Sequence, residues 1–133
     1  MTVNGELVGA IDSGLCALVG IGHHDDDAGA DRLAERLWHL RVFEDDDGKM
    51  NRSAAELGLA ILVVSQFTLC ADTSRGRRPS FVDAAAPEKA EPIIERLVER
   101  LRSLGANVET GRFRTDMSVT LTNDGPVTLV LEI

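Results

Sequence analysis

Three hydrogen-bonding side chains follow an apolar run near the middle of the chain. Residues 59–64 are apolar and predict a buried β-strand. Ser65, Gln66 and Thr68 come directly after this run, with Phe67 among them. An unpaired polar group at the end of a buried strand lowers stability, so these side chains need either an internal partner or a ligand. The sequence leaves both interpretations open.

Arginines are concentrated in the loop that follows this strand end. Arg75, Arg77 and Arg78 fall within four residues, in a segment rich in turn-forming residues. A polar strand end that leads into a basic loop suggests a site for an anionic substrate, and a solvated loop is the alternative. The net charge of −8 disfavours general coating of nucleic acid. A local basic cluster can nevertheless bind a phosphate or one nucleic-acid end.

Other side chains with chemical potential have simpler interpretations. His23 and His24 precede three aspartates, but their spacing matches no metal-ligand pattern and suits a solvated helix start. Cys70 lacks a nearby histidine in sequence, and Ser65 and Thr68 lack an evident base, so a nucleophilic side chain is not indicated. We therefore expect neither a metal nor a cofactor.

Length and composition limit the class of protein. A chain of 133 residues predicts a single domain, 1–133, and 44% apolar with 27% charged residues is ordinary for a globular protein. No stretch has the ~20 apolar residues of a membrane span, and the N-terminus has no signal pattern, so we expect a cytoplasmic protein without a membrane partner. Cys16 and Cys70 lie in apolar runs and are expected to be core residues.

The pattern of apolar residues predicts a mixed α/β fold. Helices are expected after the aspartates at 25–27 and from Pro87, each with an apolar stripe at helical spacing. Strands are expected in the apolar runs and in the alternating segments, at 7–11, 15–21, 59–66, 117–121 and 127–131. The predicted architecture is layered β-sheets with two main helices packed on one side.

Four segments, in order and spacing, resemble the bacterial and eukaryotic D-aminoacyl-tRNA deacylases. They are FEDDDGKMNRS at 43–53, SQFTLCADTSRGRRPSF at 65–81, residues 111–117, and NDGPVTLVL at 123–131. The resemblance implies a homodimeric hydrolase that cleaves the ester between a D-amino acid and the 3′-terminal adenosine of tRNA. This reaction is a form of chiral proofreading in translation. It also implies some cleavage of glycyl-tRNA, because glycine has no side chain to reject.

The same resemblance assigns roles to particular residues. It implies that Ser65, Gln66, Phe67 and Thr68 line the aminoacyl pocket. It further implies that Gly125 and Pro126, otherwise interpreted as a plain turn, form a cis Gly-Pro motif. This motif enters the partner subunit's pocket, where its carbonyl groups fill the space that an L-side chain needs.

Further contacts carried over by the resemblance concern the tRNA. Phe113 and Met117 are expected to contact the adenine ring, and Arg75, Arg77 and Arg78 the acceptor-stem phosphates.

The expected mechanism is attack by water, with the oxyanion held by backbone N–H groups near Phe67 and Thr68 and with help from the ribose 2′-hydroxyl. A Thr68 nucleophile is the rival mechanism.

One departure from the family pattern leaves alternatives open. Family members usually open with a further strand that bears a Gln-Arg-Val segment, and this chain starts after it, so we expect an unpaired strand edge. A misassigned start codon is the simplest explanation. The alternatives to the deacylase are a non-catalytic tRNA-binding or dimeric relative, a metal- or thiol-dependent esterase, and a paralogue with a trans Gly-Pro bond that edits L-alanine.

Overall fold

A short parallel β-sheet lies at the centre of the computed structural model, which describes all residues, 1–133. In chain order the elements are β1 (Thr2–Val3), β2 (Glu6–Leu7), β3 (Gly14–Val19), α1 (Asp27–His39), β4 (Phe43–Glu44), β5 (Met50–Arg52), α2 (Ala54–Leu57), β6 (Ala60–Ser65), a 3₁₀ turn (Phe67–Cys70), α3 (Pro87–Ser103) and β7 (Val108–Thr110). The central sheet has the order β3-β6-β7, and β1-β2 and β4-β5 are antiparallel hairpins. The expected mixed α/β fold is confirmed.

The two long helices begin at the predicted signals. The Asp26 side chain accepts a hydrogen bond of 2.8 Å from the Gly29 N–H and so caps α1. Pro87 is the first residue of α3, and Gly105 follows that helix with a φ of +102°. Neither helix is apolar enough over a sufficient length to cross a lipid bilayer.

Both long helices pack on the same face of the central sheet. Val19, Ile61 and Val63 point to this face and share one buried cluster with Leu97 and Leu101 of α3. Arg96 of α3 joins α1 through a two-pronged ion pair with Asp31, with both N–O distances at 2.9 Å. The arrangement agrees with the expected layering of helices on one side of the sheet.

The opposite face of the sheet is only partly covered. Leu62 and Val64 are buried there against Met1, with Met117 and Val119 packed around them. Cys16 lies on the open part of this face and is exposed, so the prediction that it is a core residue was wrong. An apolar run predicts a strand, but it does not reveal which face of an edge strand the rest of the chain will cover.

Three of the predicted strands do not form as expected. The first reaches only Leu7, and the segments at 117–121 and 127–131 form no strand at all. A single pair of hydrogen bonds joins Thr2 and Ser118, at 2.8 and 2.9 Å. A segment with alternating apolar residues forms a strand only when it pairs with another strand. Within this chain, the segments at 117–121 and 127–131 have no neighbouring strand to pair with beyond the single Thr2–Ser118 bridge.

Candidate active site

The polar strand end is anchored to the central sheet. Ser65 is the last residue of β6 and is paired with Val19 of β3. The Gln66 N–H donates to the Val19 carbonyl oxygen at 2.8 Å, which carries the pairing one residue beyond the strand. The chain then turns sharply, because Phe67–Cys70 form a 3₁₀ turn. The position of this turn is therefore set by the pairing of β3 with β6.

The turn presents backbone donors and an aromatic ring to the surface. Its first amides, on Phe67 and Thr68, precede the acceptors of their own turn, and neither donates a hydrogen bond to another part of the chain. The Gln66 side-chain amide donates to the Thr68 hydroxyl oxygen at 2.5 Å. Phe67 is 56% exposed. These free N–H groups could stabilise a negatively charged oxygen.

The arginine loop is a structured hairpin beside this turn. Asp72 and Ser80 exchange two backbone hydrogen bonds, of 2.7 and 2.8 Å, and so close the loop at its base. The Asp72 carboxylate accepts hydrogen bonds from Ser74, which hold the pKa of that carboxyl below its usual value. All three arginines are exposed and form no ion pair: Arg75, Arg77 and Arg78. Their charges are therefore available to a ligand.

A cleft of about 500 Å³ lies between α3 and the end of the sheet. It is lined by Ser65, Phe113 and Met117, so the structure brings these three predicted residues together. Phe113 and Met117 are both half-buried. A second cleft, of about 400 Å³, lies near Asp12 and Asn107 and contains none of the predicted site residues.

One wall of the larger cleft was not predicted from the sequence. Glu91, Glu95 and Glu99 of α3 line it, and none of them forms an ion pair. Their spacing of four residues places them on one side of the helix. The same spacing is typical of any solvated helix face, so the sequence alone could not distinguish a cleft wall from an ordinary exposed surface.

Gly125 and Pro126 lie outside this cleft. The peptide bond between them is cis, and both residues are exposed. The Asn123 side chain holds their loop, since it accepts from the Val127 N–H at 3.1 Å and donates to the Thr128 hydroxyl at 2.7 Å. The loop is thus a braced projection that does not join the residues lining the cleft of its own chain.

No hydrogen bond joins a cysteine to a histidine. Partial burial raises the pKa of the Cys70 thiol, and the nearby carboxylates of Asp25 and Asp83 raise it further. A His23 ring nitrogen forms a hydrogen bond with the Val82 carbonyl oxygen at 2.5 Å. No group of three or more histidine, cysteine, aspartate or glutamate side chains is arranged to hold a metal ion.

The sequence matches a family described as D-Tyr-tRNA(Tyr) deacylase over residues 1–132. A D-aminoacyl-tRNA deacylase of Symbiobacterium thermophilum is 59% identical over 132 residues, which cover 99% of this chain and 87% of that protein. A D-aminoacyl-tRNA deacylase of Rhodopirellula baltica is 50% identical over 133 residues, which cover 100% of this chain and 92% of that protein.

Two solved structures share the fold. The structure of a c-Myc DNA unwinding element binding protein aligns with a TM-score of 0.93 and 38% identity, covering 99% of this chain and 90% of that one. A probable eukaryotic D-amino acid tRNA deacylase aligns with a TM-score of 0.62 at 14% identity, covering 77% of this chain and 75% of that one. At 14% identity the second likeness concerns the fold alone.

The raised pKa of Cys70 gives a direct test of whether a thiol takes part in chemistry. Alkylation requires the thiolate, so a raised pKa lowers the reactive fraction at neutral pH. We expect iodoacetamide to modify Cys70 more slowly at pH 7 than it modifies glutathione, with a midpoint at a higher pH than the ordinary value of a free thiol. Mass spectrometry of Cys70 peptides across a pH series measures the rate. A midpoint below that value would instead indicate an activated nucleophile.

Proposed function

Because this chain belongs to the D-Tyr-tRNA(Tyr) deacylase family, we propose that the turn at residues 65–68 and the adjoining cleft form its active site. The activity itself is that of a D-aminoacyl-tRNA deacylase, an enzyme that hydrolyses the ester of D-aminoacyl-tRNA and releases free D-amino acid and tRNA. The observation that carries the assignment is that Ser65, Phe113 and Met117 line one cleft, and that Ser65 leads directly into a turn with free backbone donors. Since the substrate is part of translation, we infer a cytoplasmic enzyme.

The cleft suits the terminal adenosine of tRNA. An adenine ring stacks on aromatic side chains, and stacking is worth about 1–3 kcal/mol per base. Phe113 supplies such a ring, and Met117 adds an adaptable apolar contact. With the base held there, the 3′-linked ester would reach Ser65 and the turn that follows it.

Water is the nucleophile in the proposed mechanism. Its oxygen attacks the ester carbonyl carbon, and the resulting oxyanion accepts hydrogen bonds from the backbone N–H groups of Phe67 and Thr68. The bond from the carbonyl carbon to the ribose 3′-oxygen then breaks, and that oxygen takes up the proton that the attacking water releases. The neighbouring 2′-hydroxyl assists this transfer, which supplies the acid–base group that the turn lacks.

The surroundings of Thr68 disfavour the rival acyl-enzyme mechanism. A hydroxyl nucleophile needs an adjacent base to take its proton. The hydrogen-bond partner of the Thr68 hydroxyl is the amide nitrogen of Gln66, which is a donor and cannot accept that proton. Thr68 is therefore better suited to hold the turn than to attack the substrate.

Chiral selection is assigned to the projecting Gly125-Pro126 loop of a partner subunit. The loop is exposed and lies outside its own cleft, and an equivalent cleft on a second copy would receive it. Backbone carbonyls in that position reject an L-side chain without contacting a D-side chain, which permits many D-amino acids and also glycine. Exposed Leu121, Leu129 and Val130 flank the loop and would become buried in such a homodimer.

Hydrolysis of D-Tyr-tRNA and L-Tyr-tRNA by the purified chain tests the assigned activity. We expect cleavage of the D-ester with little cleavage of the L-ester, and partial cleavage of glycyl-tRNA, because only the L-side chain meets the loop. Release of labelled amino acid measures each rate. Equal rates on both tyrosyl esters would contradict selection by rejection, and binding without cleavage would favour a non-catalytic relative.

Mixed dimers test whether the loop acts across the subunit interface. Pro126→Ala releases the φ angle that proline fixes, so its homodimer should cleave L-Tyr-tRNA. Thr68→Pro removes one oxyanion donor, and its homodimer should be inactive. In a mixed dimer isolated with two affinity tags, the intact cleft belongs to the Pro126→Ala subunit and receives an intact loop from its partner.

The mixed dimer is therefore expected to cleave D-Tyr-tRNA and to reject L-Tyr-tRNA. If it cleaves the L-ester as readily as the Pro126→Ala homodimer does, each loop acts on its own subunit. Circular dichroism and sedimentation of the Thr68→Pro homodimer serve as controls for folding and assembly.

The arginine loop is assigned to the acceptor-stem phosphates. Changing Arg75, Arg77 and Arg78 together to alanine should raise KM and weaken its dependence on salt, because each phosphate contact contributes about 0.7–0.9 to the logarithmic slope. Arg32 on the exposed side of α1 provides the matched control, and Arg32→Ala should leave the slope unchanged. The measurement is KM as a function of salt concentration for the wild type and both variants. A slope in the triple variant equal to that of the wild type would refute the assignment.

A further inference from the structure

Gly20 packs against the 3₁₀ turn at Phe67–Cys70. It follows the last residue of β3, whose carbonyl oxygen accepts the hydrogen bond from Gln66. A Cβ atom at Gly20 would lie 3.0 Å from the Leu69 Cβ, 3.2 Å from the Cys70 Sγ and 3.2 Å from the Gln66 carbonyl oxygen. We propose that Gly20 is a positioning residue that sets the place of the turn and thereby of its oxyanion donors, a role that rests on the proposed function.

The backbone of Gly20 does not itself require glycine. Gly48 and Gly58 have positive φ angles of 74° and 65° and open space around the missing side chain, so their conformation explains them. Gly20 has no positive φ, and an L-residue could adopt its conformation. What excludes a side chain at Gly20 is the close approach of the turn alone.

The three atoms that crowd Gly20 belong to both ends of the turn. The Gln66 carbonyl oxygen accepts from the Leu69 N–H at 3.2 Å, which closes the turn, and a backbone oxygen cannot rotate aside as a long side chain can. The amides of Phe67 and Thr68 lie between these ends in sequence. We therefore expect a methyl group at Gly20 to displace the segment that carries both donors by a few tenths of an ångström.

Small displacements matter because oxyanion donors act through their position. Removal of one such donor typically lowers kcat by about 100- to 1,000-fold. A displaced pair should cost less than a removed donor. We expect Gly20→Ala to lower kcat on D-Tyr-tRNA by about 10- to 100-fold, with KM within about twofold, since Phe113 and Met117 hold the adenosine from other elements.

Gly22→Ala is the matched control. Gly22 is two residues further along and has no positive φ, and its nearest atoms, the Asp25 Oδ2 and the Asp83 carbonyl oxygen, are both at 3.5 Å, an ordinary contact. Gly22→Ala should keep both kcat and KM near the wild-type values. Thermal melting of both variants reports whether folding is affected.

A second substitution distinguishes positioning from general destabilisation. Cys70→Ala removes the sulfur that lies 3.2 Å from the added methyl group, so the double variant Gly20→Ala/Cys70→Ala should recover part of the lost kcat. Cys70→Ala alone should leave kcat nearly unchanged. Recovery of kcat by the double variant, with KM constant throughout, supports positioning.

Each contrary outcome has a distinct meaning. A Gly20→Ala enzyme with wild-type kcat overturns the inference, as does a loss of kcat that only follows a lower melting temperature and is not recovered in the double variant. Inactivity of the wild-type chain and of Gly22→Ala on D-Tyr-tRNA overturns the proposed function and this inference with it.

Discussion

The pairing of β6 between β3 and β7 is the constraint on which the rest of the structure depends. As the middle strand, β6 is hydrogen-bonded on both edges, and its residues from Ile61 to Val64 are buried. The register of such a strand is fixed, because a shift of one residue would move every side chain to the opposite face of the sheet. Its end at Ser65 is therefore fixed, and with it the turn and one wall of the cleft. Both long helices serve this arrangement by covering one face of the sheet.

The parts of the fold that could be predicted are those with local causes. Asp26 caps α1 within its own first turn, Pro87 is favoured in the first turn of a helix, and the continuous apolar run at 59–64 is buried from Ile61 to Val64. The alternation at 117–121 and 127–131 is equally regular, yet those residues form no strand. A strand requires a neighbour, and whether a neighbour exists is a property of the whole assembly and not of the segment.

The site divides along the same line between local and non-local causes. Polarity at a strand end was enough to single out Ser65 and Thr68 from the sequence. The proximity of Phe113 to Ser65 depends on the path of β7 beyond the sheet, and only the family resemblance indicated it. Gly20 has no side chain, so residue chemistry alone gives no reason to assign it a role. Its importance becomes visible only when the atoms around the missing side chain are known.

Residue chemistry indicated neither Phe113 nor Gly20, and both cases have one explanation if catalysis and selection use main-chain atoms, as proposed. An enzyme that accepts many D-amino acids gains nothing from a pocket shaped to one side chain, whereas carbonyl and N–H groups are the same whatever residues bear them. Activity and selectivity then depend on the residues that hold the backbone in place. These are Asn123 for the projecting loop and Gly20, through its close approach, for the turn. Specificity in such a site is a property of backbone position, and the residues that control it are those that pack behind the chain without touching the substrate.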